Sequence, residues 1–115
     1  MKKILSIAAL MVAVPAMGAQ EWHQANVTRT LIQDGAWGTC MAMISPSLSA
    51  TGLNCKPDWV SFSCSGHYNS PEVGGDKMEA AQLSLITESQ VIVLVNDAKK
   101  HNGYCFAERV DNLAK

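Results

Sequence analysis

No apolar run in this sequence is long enough to cross a bilayer, whose core needs about 20 consecutive apolar residues. The longest, residues 4–14, is interrupted by Ser6. There is no CxxC pair, which removes the usual motif of a low-pKa redox dithiol and of a paired-thiolate zinc site. The three histidines, His23, His67 and His101, are scattered, and Cys64-x-x-His67 is the one close Cys/His spacing. No metal and no cofactor is therefore expected. A G-x-S-x-G elbow is missing, and Gly74-Gly75 lacks the Lys-Ser/Thr that follows a phosphate-cradling loop. The acids Glu72, Asp76 and Glu79 gather where a helix is expected to start, and helix capping already accounts for them. Nothing here reads as catalytic, and the chain has neither repeats nor low-complexity tracts.

What is present begins with a leader. Lys2 and Lys3 precede the apolar run, Pro15 breaks it, and Ala16, Met17, Gly18 and Ala19 offer a small-residue processing site. Residues 1–19 thus read as a signal peptide cleaved after Gly18 or Ala19, which predicts a secreted or periplasmic protein without a membrane span. Residues 20–115 form one small domain. Both leader lysines drop out of the nine basic residues, so seven face ten acids, a net charge of −3. That weakly acidic surface lacks the basic stripe of a nucleic-acid binder.

The four cysteines, Cys40, Cys55, Cys64 and Cys105, all lie in the mature part. An even count in an oxidising compartment predicts two disulfides. Three pairings are possible. Cys40 with Cys55 would close the intervening Pro/Ser/Gly-rich loop and Cys64 with Cys105 would pin two strands, so that pairing is the favoured expectation.

Alternation places strands at residues 27–33 (VTRTLIQ), 38–45 (GTCMAMIS) and 59–64 (WVSFSC). The second is apolar on both faces, as a barrel or interface strand would be. In the third, Val60, Phe62 and Cys64 should face the core and Trp59, Ser61 and Ser63 the other side. After a loop from residue 66 to 75, Asp76 with Glu79 reads as the N-cap of a helix packing Met78, Ala81, Leu83, Leu85 and Ile86 on the core. "VIVLVND" (91–97) reads as a strand buried on both faces. The Asn102-Gly103 turn leads to "YCFAERV" (104–110), with Lys99, Lys100 and His101 as a solvated basic tip. The order β-β-β-α-β-β is that of a small OB-fold-like barrel, mainly β with one helix.

Four features together carry a family resemblance: "EW" after the leader, the Cys40/Cys55 spacing, "WVSF" at residues 59–62, and a helix running into a valine-rich strand, "AAQLSLITESQVIVLV". Over residues 21–95 the chain resembles the B subunits of AB5 toxins of the subtilase cytotoxin and typhoid toxin type. The resemblance implies an OB-fold, a homopentamer, a host-glycan ligand and a catalytic partner subunit. Residues 65–76 and the short ending after Val95 depart from that pattern, so no glycan-contacting residue is carried over.

Only 6% of the residues are aromatic, which makes each one informative. Trp22, Trp37, Trp59, Tyr68 and Tyr104 offer flat faces for sugars or partner side chains. Trp59 is expected beside the core. Trp37, in a turn next to Gly38, lacks a core role and is the leading ligand-binding candidate. His67, Tyr68 and Asn69 form a polar-aromatic loop cluster suited to hydroxyl groups. Two functional classes follow. One is a secreted binding module that assembles through its two-faced strands. The other is a monomeric periplasmic inhibitor or accessory protein that binds an envelope protein.

Overall fold

The computed structural model describes residues 19–115, so the expected signal peptide, residues 1–19, lies outside the described residues apart from Ala19. The elements run β1 (Gln20–Ile32), β2 (Cys40–Ser45), a 3-10 turn (Leu48–Thr51), β3 (Trp59–Ser61), α1 (Pro71–Thr87), β4 (Gln90–His101) and β5 (Tyr104–Asn112). The strands close into a ring in the order β1-β2-β3-β5-β4. All neighbours are antiparallel except β3 and β5, which meet in parallel at Ser61 and Phe106. The fold is thus mainly β with one helix, in the β-β-β-α-β-β order of an OB-fold.

β1 starts seven residues before the expected Val27. Its first half alternates strictly, with His23, Ala25 and Val27 buried, but a histidine disguises the inward face. His23 is satisfied there by donating Nε2–H to the Pro46 carbonyl at 2.7 Å. A register shift between Val27 and Arg29 then bends the strand. Residues 20–26 pair with β4 and residues 26–32 with β2, so Asn26 has a partner on each side. One long strand thereby serves two neighbours and helps close the ring.

Inside lie Ala25, Ala42, Ile44, Val60, Phe62, Val91, Val93 and Val95, all at most 3% exposed. β4 does not bury both faces as expected. Ile92 and Leu94 are only half-buried, because they look outward beside the exposed Trp22, which pairs with Leu94. The apolar double face of β2 is used within the single chain: Cys40, Met41, Ala42 and Ile44 are all buried, so little of it is left for another subunit.

α1 begins at Pro71, five residues before the expected Asp76, because Ser70 caps it by accepting the Val73 N–H at 3.1 Å. Proline at the first helical position needs no donor there. Gly74 and Gly75 are helical, and Gly74 faces the backbone of Phe62 and Cys64 just beyond β3. Gly74, Met78, Ala81 and Ser84 make the buried line. Leu83 and Ile86, expected in the core, stand off that line and are 54% and 78% exposed. The helix packs against β1 and β5, and Lys77 Nζ donates to the Ala107 carbonyl at 2.8 Å.

The disulfides join Cys40 to Cys64 and Cys55 to Cys105, each with Cα atoms 5.6 Å apart. This corrects the favoured pairing. β2 and β3 run antiparallel, and the Phe62 N–H donates to the Cys40 carbonyl at 3.0 Å, which brings Cys64 opposite Cys40. The segment between β2 and β3 does not close on itself. It crosses to the β4–β5 end, where Lys56 N–H donates to the Gly103 carbonyl and Asn54 N–H to Asp97 Oδ2.

Asp97 also accepts the Ala19 N–H on Oδ1 at 2.7 Å. The Asn54 and then the Ala19 hydrogen bonds hold its carboxyl below the ordinary 3.8. A lowered folded pKa means the carboxylate stabilises the fold above the unfolded value, and the contribution is lost as pH falls through the folded one. Urea midpoints of wild type and Asp97→Asn should therefore differ at pH 7 and converge in strong acid. A gap that stays constant with pH would remove Asp97 from this role.

Candidate ligand-binding site

One end of the ring carries three connections: β1–β2 (residues 33–39), β3–α1 (62–70) and the β4–β5 turn at Asn102 and Gly103. Three depressions open there. A cleft of about 360 Å³ is walled by residues 34–39 with Ser65, His101 and Asn102. A shallower one of about 490 Å³ lies over Ser65, Gly66, His67, Lys100 and His101. A narrower, aromatic one of about 100 Å³ is formed by Leu31, Trp37, Met41, Trp59 and Tyr104. Trp37 lines the first and third, and His101 and Ser65 the first two, so the three depressions are neighbours around one groove-like end of the ring. In OB-folds the β1–β2 and β4–β5 loops are where oligonucleotides and oligosaccharides bind.

Trp37 sits in this groove in an unusual conformation. Its φ is +54°, and Gly38 and Thr39 follow at +74° and +81°. A non-glycine residue in the left-handed region costs about 1–2 kcal/mol, and for a β-branched residue it is a true outlier. The surrounding structure holds the strain in place at both ends of the residue. Trp37 N–H donates to Asn102 Oδ1 at 3.2 Å, and the Trp37 carbonyl accepts from Ser61 Oγ at 2.8 Å. Thr39 N–H donates to the Ala36 carbonyl at 2.7 Å. Gly38 has to be glycine twice over, since a Cβ there would stand 2.6 Å from both His101 Cδ2 and Ser61 Oγ.

The predicted site residues divide in two. Trp37 and His67 present open faces to the groove. Tyr68 does not line the groove: its ring packs behind His67 and His101, and its hydroxyl donates to the Lys100 carbonyl and accepts the Lys100 N–H, at 3.0 and 3.1 Å. Asn69 is internal scaffolding. Its Nδ2 donates to the Phe62 and Ser63 carbonyls, both at 3.1 Å, and its Oδ1 accepts from Lys77 Nζ at 2.7 Å.

Sequence reasoning passed over His101, Ser61 and Ser63. His101 reads as part of a solvated tip, yet it is half-buried and packs edge-on to His67 and Tyr68, with centroids 5.6 and 5.0 Å away. Burial first, and then the His67 charge, push its pKa below the usual imidazole value. Ser61 and Ser63, assigned to the outer face, are both fully buried. Ser63 Oγ lies 3.0 Å from His101 Nε2, the spacing of a nucleophile and its base. Ser63 has no exposed surface, so a substrate has no approach and the pair is structural. Among the described residues no three His, Cys, Asp or Glu side chains are placed to hold a metal ion, and no helix is long and apolar enough to cross a membrane.

Compared with protein-family models, curated proteins and solved structures, the chain finds no match.

Proposed function

We propose that this protein is a secreted or periplasmic binding module without catalytic activity, which uses the groove at the Trp37 end to hold a host glycan or receptor. The observation that carries the reading is Trp37 itself, a large aromatic held in a strained conformation by bonds at both ends and placed as the wall between a polar and an aromatic cleft. Strain of this kind persists where the surrounding structure over-determines it, characteristically at ligand clamps. An indole face flanked by polar groups suits a sugar ring, whose faces are apolar and whose edges carry hydroxyls.

Arg29 stands over the Trp59 ring at 5.8 Å and Lys56 over the Tyr104 ring at 4.9 Å, which leaves the aromatic cleft with a cationic rim. For assembly, the exposed Leu83 and Ile86 on α1 make a better contact surface than β2. The toxin-like form of the proposal is a ring of five copies carrying a catalytic partner.

Two measurements test it. On a glycan array the wild-type protein should bind a defined set of sugars, and Trp37→Ala should weaken that binding at least tenfold while keeping the wild-type circular dichroism. Sedimentation should give a mass near five protomers. Binding that Trp37→Ala leaves untouched would remove the groove from the proposal. A one-protomer mass with no bound glycan would replace it with a monomeric accessory or inhibitor protein that binds an envelope protein.

A further inference from the structure

We propose that the leader is removed at the Gly18–Ala19 bond and that the α-ammonium this frees on Ala19 becomes the ionic partner of the Asp97 carboxylate, so that processing itself adds a charge pair to the fold. The cut rests on the secreted or periplasmic reading above, whereas the choice of bond and the fate of the new terminus stand on the following geometry.

The sequence leaves two bonds open, Gly18–Ala19 and Ala19–Gln20. A leader peptidase selects small residues just before the cut and two positions further back. Gly18 with Ala16 meets that condition, and Ala19 with Met17 does not. In the fold, both main-chain polar groups of Ala19 are taken by one residue of β4. Its N–H donates to Asp97 Oδ1 at 2.7 Å, and its carbonyl accepts the Asp97 N–H at 3.0 Å. Ala19 thus carries the contact with β4 one residue beyond Gln20, which pairs with Asn96. A cut after Ala19 would discard both bonds. The leader sequence selects the bond, and the fold uses the residue left in front.

Asp97 is short of a cation. Its carboxylate accepts the N–H of Asn54 on Oδ2 at 3.0 Å and that of Ala19 on Oδ1, and in the uncut chain both donors are neutral amides. Among the described residues the close ion pairs are Lys99 with Glu108 and Arg109 with Asp111. Lys100 acts on Asp97 only at longer range. The nitrogen already in contact with Oδ1 is the one that hydrolysis changes. Water adds across the Gly18–Ala19 amide, the leader departs with the Gly18 carboxylate, and the Ala19 nitrogen remains as a primary amine that takes up a proton near neutral pH. The 2.7 Å contact is already in the range of a charge-assisted bond, about 2.7–2.9 Å. Through Asn54 the pair also reaches the segment beside Cys55, whose disulfide leads to Cys105 in β5.

The test starts from the full chain, expressed with its own leader. N-terminal sequencing and intact mass of the exported protein should give Ala19 as the first residue. Any other first residue would overturn the inference and leave export intact, and an uncut chain would overturn both. The pairing is read by NMR from the Ala19 methyl resonance of exported protein labelled with carbon-13 alanine, followed from pH 6 to 10. An amine beside a carboxylate keeps its proton to higher pH, so the midpoint in wild type should lie above that in Asp97→Asn by about half a pH unit, the scale of an exposed ion pair. The stabilisation is complete below the unfolded value of the amine and is lost as pH rises through the folded one. If Asp97→Asn fails to fold, wild type acetylated on the Ala19 amine takes its place. Its urea midpoint should fall below that of the free-amine form at pH 7 and match it at pH 10. A midpoint that Asp97→Asn leaves unchanged, or an acetylation loss equal at both pH values, would overturn the pairing.

Discussion

Removal of the Cys55–Cys105 cross-link by paired alanine substitution should lower the unfolding free energy by about 4 kcal/mol. It closes 50 residues of chain, and loop-closure entropy in the unfolded state grows with the logarithm of that length. Removal of the Cys40–Cys64 link, across 24 residues, should cost about 3.5 kcal/mol on the same basis. Single domains have about 5–15 kcal/mol in total, so either loss leaves a marginal fold. Urea denaturation of the two double variants measures both. The pairing itself is checked by non-reducing cleavage at methionine and aspartate, since Met41, Met43, Asp58, Asp76 and Asp97 separate all four cysteines. A fragment joining Cys40 to Cys55 would sink the assignment.

Gly74→Ala and Gly75→Ala should act with opposite signs, although the residues are neighbours in one helix. A Cβ on Gly74 would stand 2.8 Å from Cys64 Cα and 3.0 Å from the Phe62 carbonyl oxygen. These are backbone atoms tied down by the Phe62 N–H bond to the Cys40 carbonyl and by the Cys40–Cys64 disulfide, so they cannot swing aside. Either the helix lifts off the sheet or the loop shifts, at a cost of about 1–3 kcal/mol or more. A Cβ on Gly75 meets nothing within 4 Å, and replacing a helical glycine by alanine gains about 0.8–1 kcal/mol. Thermal melts of the two variants on either side of wild type are the expected result. Destabilisation by both would mean that helical glycine is needed at this place for another reason.

The same two glycines show how far the sequence could be read. Gly74-Gly75 after a polar stretch reads as a loop, and Asp76 then looks like the cap. The competing signal, Ser70 followed by Pro71 and Glu72, is also a good helix start, but only the close approach of α1 to Cys64 explains why glycine is accepted inside the helix. His101 was hidden for a similar reason. Its local context is Lys99 and Lys100, while the groups that give it a role are Ser63 and Gly38, far away in the chain. Trp37 was legible because a tryptophan among turn residues is unusual by composition alone.

By itself the sequence determined the order of the strands and the helix, the presence of a core-packing helix, the inward facing of Val60 and Phe62, and an even set of cysteines with no motif for other use. These follow from periodicity and composition, which act within a few residues. Only the tertiary structure decided which cysteine meets which, where β1 passes from one neighbour to the other, and that Ser61 and Asn102 hold Trp37 at its two ends. Such contacts depend on strand register and on loops crossing the end of the ring. A one-residue change in register turns a side chain to the opposite face, and no local pattern specifies it.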